Sequence, residues 1–160
     1  MTAVRAGALF LLLLGLPIAS RAESRCLPGN RLLDGGFEAS AGDPAFSPAW
    51  SETSTNFFSP LCTGFYCGRS SRGVVAASGS YFAWFGGALQ AETASLSQSV
   101  ALPPSATAEL RFQLRRLGSE PLADTLTVEM DAVQLATIPE ATDEECCYSA
   151  FTYPLDTFAD

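Results

Sequence analysis

Short segments of this chain alternate between apolar and polar side chains at every second position. In residues 108–117, leucine or phenylalanine mainly alternates with a charged or amide side chain. In residues 95–100, serine alternates with a larger side chain. Because residues two apart lie on one face of an extended strand, each segment predicts a half-buried β-strand. The side chains expected to face the core are Leu110, Phe112 and Leu114 in the first strand, and Leu96, Gln98 and Val100 in the second.

The segment 125–137 carries the pattern of a β-hairpin. Two runs of alternating residues can pair antiparallel across a turn at Asp131-Ala132. The residues that alternate are Leu126, Val128 and Met130, followed by Val133, Leu135 and Thr137. Two further strands are predicted at 79–87, where aromatic residues lie between glycines, and at 148–153.

The predicted elements favour an all-β fold. Strands follow one another at intervals of about 8 to 15 residues, with glycine, proline and serine between them and no long helical period. This spacing predicts an antiparallel two-sheet β-sandwich rather than an α/β arrangement. The predicted sandwich covers residues 32–160 and follows a polar N-terminal arm at 23–31.

The first 22 residues have the features of a signal peptide. Arg5 makes the N-terminal region positively charged, and residues 6–18 form an apolar run. Ser20-Arg21-Ala22 places small residues at the two positions that signal peptidase recognises. The run is shorter than the roughly 18 to 20 apolar residues of a membrane span. We therefore expect cleavage before Glu23, no membrane span afterwards, and a secreted protein, extracellular or periplasmic.

The composition excludes several classes of function. The formal net charge is -8, and loss of the two arginines of the signal peptide lowers it to about -10. A nucleic-acid-binding protein needs the opposite balance, so nucleic acid is not an expected partner. The chain has no histidine and no lysine, which removes the imidazole base, the Schiff-base lysine and the phosphate-loop lysine. No catalytic residues stand out, and we expect a protein that is not an enzyme.

The five cysteines of an exported chain predict disulfides rather than metal ligands. Cys62 and Cys67 enclose a short segment with one glycine and are expected to form a bond. Cys146 and Cys147 are neighbours, and a bond between neighbours is strained. One of them is therefore expected to pair with Cys26, which leaves the other unpaired or bonded to another chain.

Several segments, in order, carry a resemblance to a known family. They are Leu32-Leu33-Asp34-Gly35-Gly36-Phe37-Glu38 as an opening strand, Pro48-Ala49-Trp50, the aromatic run 79–87, residues 96–103, and residues 124–131 leading to Ile138-Pro139-Glu140. Their order and spacing resemble the galactose-binding-like jelly roll of secreted bacterial β-sandwich modules, which include many carbohydrate-binding modules. The resemblance covers most of the mature chain.

The chain departs from this family at two places. The family commonly has glycine where this chain has Ala132, and alanine adopts a positive φ only at a cost, so we expect a longer or differently shaped turn. The family also continues into one or two strands beyond the position of residue 160. The jelly roll is therefore expected to lack its final strand or strands, or to accept a strand donated by a partner chain.

The resemblance also implies binding sites. Family members often hold a structural calcium ion, for which Asp34 and Glu38 are the candidate ligands, although the two carboxylates can equally be solvated or bonded to backbone amides. No other cofactor is expected. Sugar binding uses aromatic faces ringed by polar groups. The candidate ligand-binding residues are Phe65, Tyr66, Arg69, Arg72, Trp50 and Trp84.

The loop 56–72 is the main candidate binding surface, although a loop closed by a disulfide can also simply cover one end of the sandwich. Trp84 is expected to lie in the core. The resemblance implies a secreted, non-catalytic module that binds carbohydrate or a surface glycan. The alternative is a structural or protein-interaction module of the cell surface, with a cell-surface protein as its partner.

Overall fold

A computed structural model describes residues 29–67, 73–87, 90–104, 106–118 and 124–159. The predicted signal peptide, most of the N-terminal arm, Cys26, Arg69 and Arg72 lie outside the described residues. Within the described ranges, no helix is long and apolar enough to cross a membrane.

The described chain is all-β. Its strands are β1 Ser51–Ser54, β2 Leu61–Thr63, β3 Tyr81–Ala83, β4 Ala94–Ser97, β5 Glu109–Leu114, β6 Thr125–Met130, β7 Val133–Pro139 and β8 Ser149–Pro154, followed by a 3₁₀ helix at Asp156–Phe158. They hydrogen-bond as four antiparallel pairs, β1 with β4, β2 with β3, β5 with β8 and β6 with β7. The predicted all-β, antiparallel class is confirmed.

The pairing of β5 with β8 confirms two of the predicted strands. Burial alternates along β5, with Leu110, Phe112 and Leu114 half-buried and the residues between them exposed. Phe112 lies opposite Phe151 in the register, and the two rings stack with centroids 5.5 Å apart and planes 8° from parallel. Such an aromatic pair stabilises by about 0.5–1.5 kcal/mol beyond its burial, which favours this register.

The hairpin of β6 and β7 is also confirmed, but the expected change in its turn is wrong. Asp131 and Ala132 form a two-residue turn with φ of 49° and 62°. Positive φ at both positions gives the turn whose twist matches that of the flanking strands. The alanine therefore adopts the left-handed conformation, and the register from Met130 opposite Val133 is kept.

A bulge in β7 changes which side chains face inwards. Val128 lies opposite Ala136 and Glu129 lies opposite Gln134, so Leu135 is an extra residue on this strand. The extra residue shifts the alternation by one position. Beyond the bulge, Ile138 is consequently buried and Thr137, which was predicted to face the core, is exposed. Val133, which precedes the bulge and was also predicted to face the core, is exposed as well.

The predicted opening strand at 32–38 is wrong, because this segment folds into turns. Asp34 and Phe37 have φ of 49° and 63°, and the amide of Phe37 donates to the carbonyl of Asp34 at 3.0 Å. The Asp34 side chain accepts a bond from the amide of Ala39 at 3.0 Å. Such local side-chain bonds compete with strand pairing and favour turns.

Candidate functional site

The loop that follows β2 is a tight turn closed by a disulfide. Cys62 lies in β2 and is bonded to Cys67, with 5.9 Å between their Cα atoms, which confirms the predicted pair. The amides of Tyr66 and Cys67 both donate to the carbonyl of Thr63, at 3.1 and 3.0 Å. The backbone of residues 62–67, called the aromatic loop below, is therefore held by a covalent bond and two hydrogen bonds.

The aromatic loop presents two rings to solvent. Phe65 is 58% exposed and Tyr66 is 52% exposed, and their rings lie at 89° with centroids 5.1 Å apart. Large aromatic side chains are usually well buried, so two neighbouring exposed rings on a fixed turn point to a binding surface. The two perpendicular rings form a corner rather than a flat platform.

Val75 extends this apolar surface at the base of the loop. Gly64 of the loop lies close to the Val75 side chain, since a Cβ atom added to Gly64 would be 3.5 Å from the Val75 Cγ1 atom. The Val75 side chain is 61% exposed. Its neighbour Val74 is buried, and the Tyr148 hydroxyl donates to the carbonyl of Val75 at 2.8 Å. The strip 73–75 is therefore anchored on both sides while the Val75 side chain is left at the surface.

A second exposed aromatic pair follows β1. Phe57 and Phe58 are 46% and 76% exposed, on a turn whose donors converge on the carboxylate of Glu92. Those donors are the hydroxyl groups of Ser54 and Thr55 and the backbone and side-chain N–H groups of Asn56. Burial alone would raise the pKa of Glu92, but these hydrogen bonds outweigh it and hold the pKa below its usual value.

This lowered pKa predicts that acid loosens the turn at 54–57. A carboxyl group whose pKa is lower in the folded state stabilises that state above its unfolded pKa, and the contribution is lost as the pH falls through the folded value. We expect the resonance of the Asn56 backbone amide and its protection from hydrogen exchange to be constant at neutral pH, and to change only at pH values below those at which an ordinary glutamate titrates. Two-dimensional NMR measures both.

The Glu92→Gln variant should show the loosened turn already at neutral pH. Glu129→Gln, which removes a carboxylate from the exposed side of β6, is the matched control and should leave the Asn56 signal unchanged. An Asn56 signal that is insensitive both to Glu92→Gln and to acid would show that the carboxylate does not hold the turn.

Both tryptophans that were predicted to bind ligand have structural contacts. The Trp50 indole donates to the carbonyl of Asp34 at 3.0 Å, and its ring packs on Phe37 with centroids 5.5 Å apart. The Trp84 indole donates to the carbonyl of Gly86 at 3.0 Å, and its ring packs against Phe82, which is buried. Both rings are half-buried, so Trp84 is only partly covered rather than fully in the core.

The candidate calcium ligands do not fit a calcium site. The Asp34 carboxylate accepts the Ala39 amide and the Ser47 hydroxyl, at 3.0 and 2.7 Å. The Glu38 Oε1 atom accepts the amides of Ser80 and Tyr81, at 2.8 and 3.0 Å. Calcium requires about 6 to 8 oxygen ligands, and the described residues contain no group of three or more acidic, cysteine or histidine side chains placed to hold a metal.

Glu38 joins two distant segments of the chain. Its carboxylate lies against Gly79, whose φ of 71° and lack of a side chain allow the approach. The bonds to Ser80 and Tyr81 connect the turn at 32–38 to the start of β3. Backbone amides as partners were the alternative that the sequence left open.

Sequence reasoning missed the role of Glu92. The run Ser54-Thr55-Asn56 before two phenylalanines does signal a turn, because short polar side chains favour one. The carboxylate that holds this turn lies 36 residues from Asn56 in the sequence, and no local pattern marks it.

Comparisons of the chain with protein-family models, with curated proteins and with solved structures found no match.

Proposed function

We propose that this chain is a secreted, non-catalytic binding module that binds a neutral carbohydrate or surface glycan at the aromatic loop. The observation that carries the proposal is the exposure of Phe65 and Tyr66 on a turn closed by the Cys62–Cys67 disulfide. The β-sandwich of the galactose-binding-like family, formed by packing the strand pairs in two layers, is the architecture that we propose for the whole domain.

The chemistry of the loop suits a sugar. One face of a pyranose ring carries C–H groups that pack on an aromatic ring, while its hydroxyl groups require polar partners nearby. The perpendicular rings of Phe65 and Tyr66 offer one wall for the face of a sugar and a second for its edge. The phenolic hydroxyl of Tyr66 adds a hydrogen-bonding group to this corner.

The rigidity and the charge of the module support the same ligand class. A turn that is already ordered loses less conformational entropy on binding than a flexible one, which favours affinity for a small ligand. The formal net charge of -8 repels polyanions and so favours a neutral glycan. The sequence, which has neither histidine nor lysine, supports a role in binding without catalysis.

Affinity electrophoresis in gels that contain neutral polysaccharides, together with a glycan array, tests the proposal. We expect the native chain to be retarded by at least one neutral polysaccharide. Phe65→Ala and Tyr66→Ala should each weaken binding by about tenfold, which corresponds to about 1.4 kcal/mol for one stacking ring. The double variant should not bind measurably.

Phe46→Ala is the matched control. Phe46 is 48% exposed but lies outside the aromatic loop, so its removal should leave binding unchanged. Circular dichroism verifies that each variant keeps its strand content. Binding that survives in the folded double variant would place the sugar site elsewhere, and a native chain that binds no glycan would refute the proposal.

A second candidate function is a protein-interaction module of the cell surface. The observation that favours it is the pairing of the described strands, each of which is hydrogen-bonded to one neighbour within a two-stranded sheet. An unpaired strand edge can accept a strand from a partner. Capture of a specific protein that is indifferent to Phe65→Ala and Tyr66→Ala, without any glycan signal, would support this function over sugar binding.

A further inference from the structure

Two adjacent cysteines are brought together directly before β8. The Sγ atoms of Cys146 and Cys147 lie 2.7 Å apart, closer than sulfur atoms of unconnected thiols ordinarily approach, and both residues are exposed. Their hydrogen bond raises the pKa of the Cys147 thiol, because it favours the protonated form. The carbohydrate-binding role assigns nothing to this pair.

The residue before the pair is fixed by two arginines. The Nε group of Arg115 donates to the carbonyl of Glu145 at 2.8 Å, and the amide of Glu145 donates to the carbonyl of Arg116 at 3.1 Å. The carboxylate of Glu145 accepts the amide of Arg116 at 2.8 Å and its guanidinium at 2.6 Å. Backbone and side chain of Glu145 are therefore both held.

The residues after the pair are also fixed. The Tyr148 hydroxyl donates to the carbonyl of Val75 at 2.8 Å, and Ser149 begins β8, where it lies opposite Leu114 of β5. With both flanks anchored, few backbone conformations are open to residues 146 and 147. Restricting them in this way lowers the entropy that the two sulfurs lose when they bond.

We propose that Cys146 and Cys147 form a disulfide with each other, a vicinal redox site at the surface of the domain. The oxidant is a disulfide, either of a protein or of a small thiol such as glutathione. The thiolate of one cysteine attacks a sulfur of the oxidant and releases one of its halves as a thiolate. The second cysteine then attacks the mixed disulfide, so that the oxidant leaves as two thiols and the two cysteines lose two hydrogens in all.

This pairing differs from the bond to Cys26 that the sequence predicted, and tryptic peptides distinguish the two. The chain contains no lysine, and its arginines place the cysteines in separate peptides, 26–31, 32–69 and 117–160. The full chain is oxidised with glutathione disulfide, its free thiols are blocked with N-ethylmaleimide under denaturing conditions, and the digest is analysed by mass spectrometry without reduction.

We expect peptide 117–160 to be unlabelled, joined to no other peptide and lighter than the reduced peptide by two hydrogens. After reduction it should take up two labels. The Cys26→Ser variant should give the same result. A label on peptide 117–160 before reduction, a link from it to peptide 26–31, or a link between two copies of it would each overturn the proposal.

The role of the anchored flanks is tested separately by the equilibrium with glutathione. Arg116→Ala removes the guanidinium bonds to the Glu145 carboxylate and should lower the fraction of the vicinal disulfide severalfold at a fixed glutathione ratio. Arg111→Ala, which removes an arginine from the exposed face of β5, is the control and should leave the fraction unchanged. Equal fractions of the vicinal disulfide in the native chain and in both variants would show that the anchored flanks do not favour this disulfide.

Discussion

Replacement of Leu61 with alanine is expected to lower the free energy of unfolding by about 2–5 kcal/mol. Leu61 is 2% exposed, and no larger described side chain is as fully buried. Truncation removes its apolar burial and leaves a cavity that the short strands β2 and β3 can only partly close. Because small domains are stable by only about 5–15 kcal/mol, this is a large share of the total.

Urea denaturation followed by tryptophan fluorescence measures the loss. Leu33→Ala is the matched control, because Leu33 is 69% exposed and its truncation should change the free energy of unfolding by no more than about 0.5 kcal/mol. If Leu61→Ala and Leu33→Ala had equal effects, the pair β2 and β3 would not be the packed centre of the described structure.

The position of Leu61 connects this core to the candidate site. Its amide donates to the Ser59 hydroxyl at 3.0 Å, and Cys62 follows it directly. The aromatic loop thus begins directly after Leu61, the best-buried residue of the strand that carries it. Packing beneath the loop allows its rings to stay exposed without loss of backbone order.

The strands that were correctly predicted from sequence are those in which apolar and polar side chains alternate along the chain. The inward positions of β5 repeat at every second residue, and burial follows that repeat along the strand. Where one residue is inserted, as at Leu135, every later position changes face, and the sequence has no signal for the insertion. The hairpin was therefore predicted, while the burial of its second strand was not.

The segment 32–38 was predicted to be a strand because its residues resemble a family pattern. Its conformation depends instead on hydrogen bonds that the Asp34 carboxylate accepts from Ala39 and from Ser47, which lies 13 residues away. The carboxylates of Glu38 and Glu92 likewise bond to residues between 36 and 43 positions away. Partners at such separations are determined by the tertiary fold, which a single sequence does not reveal.

The candidate site was more predictable than these contacts. Cys62 and Cys67 are five residues apart, so their bond depends on a short loop rather than on distant chain segments. The exposure of Phe65 and Tyr66 follows from the small size of that loop, which offers little surface for two large rings to cover. The tryptophans were harder to place, because their indole partners are carbonyls that lie outside the strands.

Removal of the Cys62–Cys67 disulfide is expected to reduce both stability and sugar binding. The bond closes a loop with a sequence separation of 5, for which the loss of chain entropy in the unfolded state corresponds to about 2 kcal/mol. The Cys62→Ser/Cys67→Ser variant should therefore unfold at lower urea concentration. Without the bond, Phe65 and Tyr66 must be ordered by the ligand, at a cost of about 0.5–1.5 kcal/mol for each side chain.

That ordering cost should weaken glycan binding about tenfold, even where the variant is fully folded. Calorimetry should show the loss as a less favourable entropy, whereas Tyr66→Ala should mainly lose contact enthalpy. The Cys146→Ser/Cys147→Ser variant is the control and should bind as the native chain does. If the loop variant is destabilised but binds with native affinity, the rings do not depend on the closed turn, and preorganisation by the disulfide is excluded as the source of affinity.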